Sequence, residues 1–301
     1  MKIVTFGEIL FDVYGDKRYI GGAGLNFAAH CAKCGAQSYL ISAVGKDGLG
    51  EQALQIIKEL GVFPDFIRYS SQDTGRCLAA LDADGVPSYD VLRDVAYDHI
   101  ELSDKSISDI NSLGADALYF GTLIQRSAVS RRSLKKLCAE GSFREIVCDI
   151  NLRKNCYDSD SVKFCFEQAT VLKLSGEEEP LMRDFSLYRT HSADPQSICQ
   201  AICDAYAKLR YVIFTMGEKG SFIYDAKRKT GFVQEAKKVK LASTVGAGDS
   251  YLAAWMTSYL AGCDWKVCAR NAAEISGYVV SQMAAIPDYT FVGGKIHEKT
   301  C

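Results

Sequence analysis

Short apolar runs alternate along the chain with longer segments in which apolar and polar residues are mixed. The apolar runs predict strands, and the longer segments predict helices. Strands are predicted at Ile3–Phe6, Ala117–Phe120, Ile146–Ile150, Val171–Leu174 and Val212–Thr215, and helices at, for example, Gly50–Leu60, Arg131–Ala139 and Pro195–Leu209. Alternation of this kind predicts an α/β fold, in which helices cover both faces of a mostly parallel sheet.

Two regions break this alternation. Between Asp73 and Asp98, extended runs flank the turn Asp82-Ala-Asp-Gly85, and this pattern indicates a hairpin. A second hairpin is predicted at Ser221–Glu235. The segment Phe11–Ile20 is a further short extended piece. We therefore predict a single domain over residues 1–301, with a small β-sheet lid built from about residues 11–21 and 72–98.

The composition is typical of a globular protein with a full core, since 48% of the residues are hydrophobic and 24% are charged. A net charge of −2 without a long basic run argues against a nucleic-acid partner. The first strand begins directly after Met1, and no apolar stretch is long enough to cross a bilayer. We expect a cytoplasmic protein with no membrane partner.

The cysteines and histidines do not form a predicted metal site. The twelve cysteines are scattered, and only Cys31 and Cys34 have metal-like or redox-like spacing. No second cysteine pair or nearby histidine completes a set of four ligands. Buried free thiols are the expected role of the cysteines.

The segment Thr244-Val-Gly-Ala-Gly-Asp249 suggests phosphoryl transfer. Small residues before a helix let the N–H groups of Gly246, Ala247 and Gly248 approach an anion. A carboxylate beside such a pocket repels phosphate, but Asp249 is well placed to take a proton from an attacking hydroxyl. The alternative is a tight turn followed by an acid that the helix dipole favours.

A second glycine-rich segment, Gly21-Gly22-Ala-Gly-Leu-Asn26, also precedes an apolar run. A dinucleotide site is one interpretation, but the spacing is imperfect and the segment does not directly follow the first strand. A close-approach surface for a polyol, with Asn26 one turn into a helix, is the other interpretation. The chain contains no Walker A motif, so it is not a P-loop enzyme.

Together these segments resemble the two fingerprints of the PfkB-type, or ribokinase-like, carbohydrate kinases, and they occur in the same order. The similarity extends over nearly the whole chain. The other matching elements are Phe6-Gly7-Glu8 with Asp12, Gly45-Lys-Asp47-Gly-Leu-Gly50, Asp149-Ile-Asn151-Leu-Arg153 and Thr215-Met-Gly217-Glu-Lys-Gly220. The resemblance implies a three-layer ribokinase-like fold and an ATP-dependent sugar kinase that uses Mg²⁺.

The resemblance also implies roles for individual residues. Asp249 would be the general base, and the N–H groups of Gly246, Ala247 and Gly248 would stabilise the transferring phosphoryl group. Substrate contacts are implied for Asp12, Gly22, Asn26, Asn151 and Arg153. Nucleotide contacts are implied for Ser175, Thr215, Gly217, Gly220 and Asn271, although Asn271 has the alternative role of an exposed helix residue.

The chain departs from the family pattern at Ser175, at Ser243 and at Ala284-Ala285, where a Gly-Ala pair is common. Ser175 replaces the asparagine of the Asn-x-x-Glu element, whereas Glu178 keeps its place and is expected to contact Mg²⁺ through water. Its alternative role is that of an acid in the first turn of a solvated helix. Ser243 stands where the family usually has an aspartate beside a monovalent-cation site, so activation by K⁺ is doubtful.

The segment Ser88 to Asp98 resembles the fructokinase-like branch of the family, as does Phe120-Gly121-Thr122. Arg93 in this segment is a candidate substrate contact, or else an arginine that protects a sheet edge. Fructose is the leading substrate, and a 2-keto-3-deoxy sugar acid, another sugar or a nucleoside are alternatives. A catalytically weak sugar-binding protein is the alternative from another class. An exposed lid face is a candidate surface for a homodimer.

Overall fold

The computed structural model describes residues 1–81 and 87–298 of the chain. In chain order, the strands are β1 (Lys2–Phe6), β2 (Leu10–Tyr14), β3 (Lys17–Gly21), β4 (Gln37–Gly45), β5 (Val62–Phe63), β6 (Ile67–Ser70), β7 (Gly75–Leu81), β8 (Pro87–Val91), β9 (Ala117–Gly121), β10 (Glu145–Asp149), β11 (Val171–Ser175), β12 (Tyr211–Thr215), β13 (Ser221–Asp225), β14 (Thr230–Gln234), β15 (Tyr289–Val292) and β16 (Lys295–Glu298). The helices are α1 (Ala23–Lys33), α2 (Gly48–Glu59), α3 (Asp104–Ser112), α4 (Ala128–Glu140), α5 (Ser159–Gln168), α6 (Glu179–Asp184), α7 (Pro195–Ala205), α8 (Ala247–Leu260) and α9 (Trp265–Val280).

A large, mostly parallel sheet forms the centre of the described structure. Its strand order is β14-β13-β12-β11-β10-β9-β1-β4-β5, and β6 also pairs with β4. The pairs from β12 through to β5 are parallel, whereas β13 and β14 form the predicted antiparallel hairpin at one edge. All five strands predicted from the apolar runs lie in this sheet.

Successive residues of each central strand point to opposite faces of the sheet, and each face is covered by helices. Ile3 and Ala117 pack with buried residues of α1, α8 and α9. Their neighbours Val4 and Leu118 pack with buried residues of α3, α4, α5 and α7. Because both faces are buried, the central strands are apolar at nearly every position. The predicted three-layer α/β fold is confirmed.

A separate four-stranded sheet has the order β3-β2-β7-β8. The segment predicted as one extended piece is a hairpin instead, because β2 and β3 pair antiparallel on either side of Gly15, where φ is 59°. Strands β7 and β8 are also antiparallel, as predicted. The turn predicted at Asp82–Gly85 lies outside the described residues.

The sequence pattern did not predict three features of the fold. These are strand β4, the C-terminal hairpin β15–β16 and the exact end of α7. Strand β4 contains Ser38 and Ser42, which are both fully buried and interrupt its apolar run. Helix α7 ends at Ala205 rather than Leu209, because Tyr206 is already extended. In the described part of the chain, no helix combines the length and the apolar character that crossing a membrane requires.

Candidate active site

The glycine-rich motifs meet at the carboxyl edge of the large sheet, where they border a cavity of about 410 Å³, here called the smaller cavity. Ligands commonly bind at this edge, because the loops of neighbouring strands and the N-termini of helices converge there. The predicted site residues that line the smaller cavity are Asp12, Gly22, Asn26, Asn151, Arg153, Gly246, Gly248 and Asp249.

Asp249 lies in the first turn of α8 and is only 7% exposed. Its Oδ2 accepts a hydrogen bond from Asn26 Nδ2 at 2.8 Å, although the two residues are 223 positions apart in the chain. Burial raises the pKa of Asp249, while the hydrogen bond from Asn26 and the charge of Lys173 oppose this effect. The result is a desolvated carboxylate with a fixed orientation, as a general base requires.

Gly246 makes the sharp turn into α8. Its φ is 80°, and a Cβ at this position would lie 2.6 Å from the carbonyl oxygen of Ala285, so only glycine fits. In the described part of the chain, the N–H groups of Gly246 and Gly248 make no hydrogen bond, whereas that of Ala247 has a long contact of 3.3 Å with the Thr244 carbonyl. Two of the three predicted N–H donors are thus free for an anion.

Asp12 and Asn26 lie close together in the lining of the smaller cavity. A Cβ on Gly21 would lie 3.1 Å from Asp12 Oδ2 and 4.0 Å from Asn26 Oδ1. Asn26 Oδ1 is buried and has no hydrogen-bond partner among the described residues. Burial raises the pKa of Asp12, and a hydrogen bond from the Cys77 thiol opposes this effect. This part of the lining therefore presents acceptors to a ligand that carries hydroxyl groups.

Gly22 and Gly24 allow the start of α1 to pack closely against β1 and the segment after it. Gly22 has a φ of 107°, and its Cβ would lie 2.7 Å from the Glu8 carbonyl oxygen. The Glu8 carboxylate accepts a hydrogen bond from Gly24 N at 3.3 Å. This close packing fixes the position of Asn26, one turn further along α1.

The other three residues predicted to contact the substrate are Asn151, Arg153 and Arg93, and not all of them line the cavity. Asn151, with a φ of 35°, and Arg153 line the smaller cavity. Arg93 does not: its side chain is exposed and donates a hydrogen bond to the carbonyl of Asn155. Of the two arginines predicted to contact substrate, Arg153 is therefore the one that lines the cavity.

A larger cavity of about 930 Å³ lies beside the ends of β11 and β12. Ser175, Thr215, Gly217 and Gly220 line it, as predicted for nucleotide contacts. Asn271 does not line it and instead donates a hydrogen bond to Ser258 Oγ at 3.0 Å. Ala273 and Ser276 are the residues of α9 that reach this cavity. Gly248 lines both cavities, so they meet at the start of α8.

Glu178 lies beside the start of the larger cavity but contacts the backbone. One carboxylate oxygen accepts from Leu152 N at 2.7 Å and the other from Ser175 N at 2.8 Å. Ser175 Oγ in turn accepts from Glu178 N at 3.2 Å. Glu178 therefore connects the chain segments that follow β10 and β11. Each carboxylate oxygen keeps a lone pair for a water molecule, which is compatible with an indirect magnesium contact.

Comparison with known proteins agrees with this geometry. The model of the pfkB family carbohydrate kinases matches residues 2–290. The chain belongs to this family. The protein is accordingly an ATP-dependent carbohydrate kinase.

The relatives of this pfkB kinase share low sequence identity with it over most of its length. An ATP-dependent 6-phosphofructokinase from Thermoanaerobacterium thermosaccharolyticum is 26% identical, covering 95% of this chain and 90% of its own. A fructokinase from Solanum tuberosum is 26% identical, covering 85% and 80%. The fructokinase from Vibrio cholerae O395, solved with fructose, ADP and a calcium ion, has a TM-score of 0.76 at 21% identity and covers 95% of each chain.

A buried ion pair of the kinase was not predicted from the sequence. Lys173 Nζ donates to both carboxylate oxygens of Asp149, at 2.8 and 2.9 Å, and both residues line the smaller cavity. Burial raises the pKa of Asp149 to about 6, and the charge of Lys173 opposes this effect. The signal in the sequence is a lysine inside an otherwise apolar buried strand, because such a charge requires a partner.

A second buried ion pair of the kinase was also missed. The side chain of Arg126 is 3% exposed and forms a bidentate ion pair with Asp98, with both distances at 2.8 Å. It also donates to the carbonyls of Val91 and Leu92, where the chain leaves β8. Arg126 therefore connects the four-stranded sheet to the main body of the kinase.

His30 on α1 contacts the segment that packs against the turn at Gly246. One ring nitrogen lies 2.8 Å from Tyr289 Oη, and the other lies 2.9 Å from the Ala285 carbonyl oxygen that packs against Gly246. Burial lowers the pKa of His30 to about 4. His30 is therefore a neutral ring that links α1, the segment before β15 and the start of α8.

We expect the His30→Gln variant to change how stability depends on pH. The pKa of His30 falls from 6.5 to about 4 on folding, so the unfolded state binds more protons between these values. Its contribution to stability is complete above pH 6.5 and is lost as the pH falls towards 4, in total about 3 kcal/mol. Urea titrations from pH 4 to 7.5 should show a shallower rise of the free energy of unfolding in the variant.

The exposed His297→Gln variant is the control and should keep the wild-type slope. Identical slopes for the wild type and His30→Gln would contradict the assignment of a buried, neutral His30.

Proposed function

We propose that the protein transfers the γ-phosphoryl group of ATP to a hydroxyl of a free hexose, with fructose as the leading substrate. The observation that carries the proposal is the position of Asp249. Its buried carboxylate lies in the smaller cavity, one residue after Gly248, which lines both cavities. A base is thus held where a hydroxyl ligand in one cavity meets an anionic ligand in the other.

The proposed mechanism uses the side chains and N–H groups already described. Asn26 orients Asp249 through the 2.8 Å hydrogen bond, and Asp249 takes the proton from the attacking hydroxyl. The free N–H groups of Gly246 and Gly248 at the start of α8 stabilise the charge that develops on the phosphoryl oxygens. Because these donors are fixed before the reaction, they need no reorganisation during it.

For the nucleotide, we propose that Ser175, Thr215, Gly217 and Gly220 contact ATP in the larger cavity that they line. Bound Mg²⁺ neutralises phosphate charge and usually keeps several of its water ligands. Glu178 is the carboxylate proposed to contact that hydration shell. Asn271 is not included, since its side chain contacts Ser258 instead.

The proposal of a neutral sugar follows from the acceptors around the smaller cavity. Asp12 and Asn26 offer oxygen acceptors, and a polyol has the matching donors. Buried acceptors without a donor are costly, so a ligand that lacks the matching hydroxyl would be rejected strongly. The fructokinase names of the Solanum and Vibrio relatives agree with fructose.

An anionic sugar is the second candidate substrate class. Arg153 is exposed, lines the smaller cavity and makes no ion pair with any described residue. Its guanidinium interacts electrostatically with Glu8, Asp12 and Asp249, and its N–H donors could bind a carboxylate, as in a 2-keto-3-deoxy sugar acid, or a phosphate. The 6-phosphofructokinase name of the Thermoanaerobacterium relative agrees with the latter.

A coupled ADP-release assay against a panel of substrates tests the proposal. The panel should contain fructose, other hexoses, fructose 6-phosphate, 2-keto-3-deoxygluconate and nucleosides, with the Asp249→Asn variant as the blank. The highest kcat/KM should be for fructose or another free hexose. A preference for an anionic sugar would favour the second candidate, and silence with every compound would favour a sugar-binding protein.

We further propose that residues 1–301 form one domain and that the four-stranded sheet acts as its lid. Asp12 on β2 and Cys77 on β7 lie side by side in this sheet, and both line the smaller cavity. Tyr19 is 53% exposed and Leu78 is 38% exposed on the same sheet, so a homodimer through the lid is part of this proposal. Sedimentation velocity of the wild type and Tyr19→Ser would test the dimer.

We expect K⁺ to stimulate the kinase little or not at all relative to choline. Ser243 Oγ accepts a hydrogen bond from Val245 N at 3.2 Å and supplies no negative charge. Initial rates in KCl and in choline chloride at equal ionic strength measure the effect, and Ser243→Asp should gain stimulation. Strong stimulation of the wild type would show that Ser243 does not disable a cation site.

A further inference from the structure

Lys173 is a buried ammonium group that the mechanism above does not use. Its side chain is 7% exposed, and its Nζ donates to both oxygens of Asp149. An ammonium has three N–H donors, and Asp149 takes two of them. In the described part of the chain, no other acceptor binds the third donor, and Lys173 lines the smaller cavity.

The ammonium also lies against the start of α8. A Cβ on Gly248 would be 3.0 Å from Lys173 Nζ and 3.3 Å from its Cε. Because Gly248 lines both cavities, Lys173 Nζ is adjacent to the point at which they meet. A phosphoryl group that moves from one cavity to the other passes this point.

Three carboxylates surround the point at which the two cavities meet, and their negative charges favour a cation there. Asp149, Glu178 and Asp249 all interact electrostatically with Lys173. Burial disfavours the charged amine, but these carboxylates outweigh it and raise the pKa of Lys173, so it remains an ammonium. Without it, three carboxylates would repel the phosphates of the nucleotide.

We propose that Lys173 is a further catalytic residue, whose third N–H contacts the transferring γ-phosphoryl group. This proposal rests on the phosphoryl transfer described under the proposed function. The bond from the γ-phosphorus to the ADP oxygen breaks, the bond to the sugar oxygen forms, and the hydroxyl proton passes to Asp249. Lys173 keeps its proton throughout and stabilises the negative charge on the phosphoryl oxygens.

The affinities for MgATP and MgADP, measured by calorimetry without sugar, test this contact. Only ATP carries the γ-phosphoryl group, so Lys173→Met should reduce the preference for ATP over ADP by roughly ten- to a hundredfold, the range for a charge-assisted hydrogen bond. With the most active sugar, kcat should fall by a similar factor.

Lys173→Met also leaves Asp149 buried without its partner and will therefore lower the melting temperature. The double variant Asp149→Asn/Lys173→Met removes that unpaired charge and should recover much of the melting temperature while keeping the low ATP preference. Asp149→Asn alone keeps Lys173 beside Glu178 and Asp249, whose charges still favour its ammonium form, and should therefore keep most of the ATP preference.

The outcomes separate this inference from the proposed function. If the double variant has the wild-type preference for ATP and the wild-type kcat, Lys173 serves only to pair with Asp149 and the inference is wrong. If the wild type phosphorylates no sugar but Lys173→Met and the double variant lose the ATP preference, the phosphate contact stands and the sugar substrate is wrong.

Discussion

Asp249→Asn is expected to lower kcat by roughly 10²–10⁴-fold, the usual contribution of a positioned general base. The amide has nearly the same shape, and its oxygen can still accept the hydrogen bond from Asn26 Nδ2, so the ground-state geometry is kept. What disappears is the ability to take the proton from the attacking hydroxyl. Steady-state kinetics with the most active sugar from the panel measure the loss.

The stability of Asp249→Asn provides its control. Since burial raises the pKa of Asp249, the ionised carboxylate is costly in the folded state, and an uncharged amide should leave the melting temperature equal or higher. The affinities for ATP and sugar should change little. A variant that folds normally and keeps kcat within about tenfold of the wild type would remove Asp249 as the base.

The pH profile of the wild type tests the same residue in a second way. The base must be deprotonated to act, so kcat/KM should fall on the acid side as the pH approaches the raised pKa of Asp249. The midpoint of this acid limb should lie above the ordinary aspartate value of 3.8. The residual activity of Asp249→Asn should lack this limb.

Gly246→Ala is expected to lower kcat by roughly 10²–10³-fold, the loss typical when a transition-state N–H donor is displaced. Two effects act at this position. The backbone has a φ of 80°, which disfavours any residue with a Cβ, and the Cβ would lie 2.6 Å from the Ala285 carbonyl oxygen. Because that contact is with backbone, the turn or the Ala285 segment must move, and the free N–H groups move with it.

Gly262→Ala is the matched control for Gly246→Ala. Its φ is 85°, but a Cβ there meets no atom within 4 Å. It should lose about 1 kcal/mol of stability through backbone strain alone and keep the wild-type kcat. Equal kcat values for the two alanine variants would show that the Gly246 turn has no catalytic role.

Apart from the end of α7, the five predicted central strands, the helices between them and the hairpin at Ser221–Glu235 agree with the structure. Each of them depends on residues close together in the chain. The Phe11–Ile20 hairpin was missed, although Gly15-Asp16 between two extended runs is a local signal for a two-residue hairpin turn. Strand β4 was missed because buried serines interrupt its apolar run. Their burial depends on neighbouring elements that no local window contains.

Some of the predicted site residues line a cavity and others do not, and the difference again depends on whether the signal is local. Motif residues that lie directly at strand or helix ends, such as Asp249, Asn151 and Gly217, are at a cavity wall. Arg93 and Asn271 are not, because their side chains bind Asn155 and Ser258 instead. A side chain with several available partners is directed by whichever partner the fold brings near, and sequence spacing does not reveal that choice.

The sequence by itself determined the α/β class, the family and the glycines that make the turns, because apolar periodicity and backbone freedom are local properties. Only the tertiary structure decided which side chains that are distant in the chain lie together in the buried site. It joins Asn26 to Asp249 across 223 residues, pairs Lys173 with Asp149 and places His30 behind Gly246. Hydrogen bonds and pKa values depend on distances of a few ångströms, and strand order and helix packing set those distances.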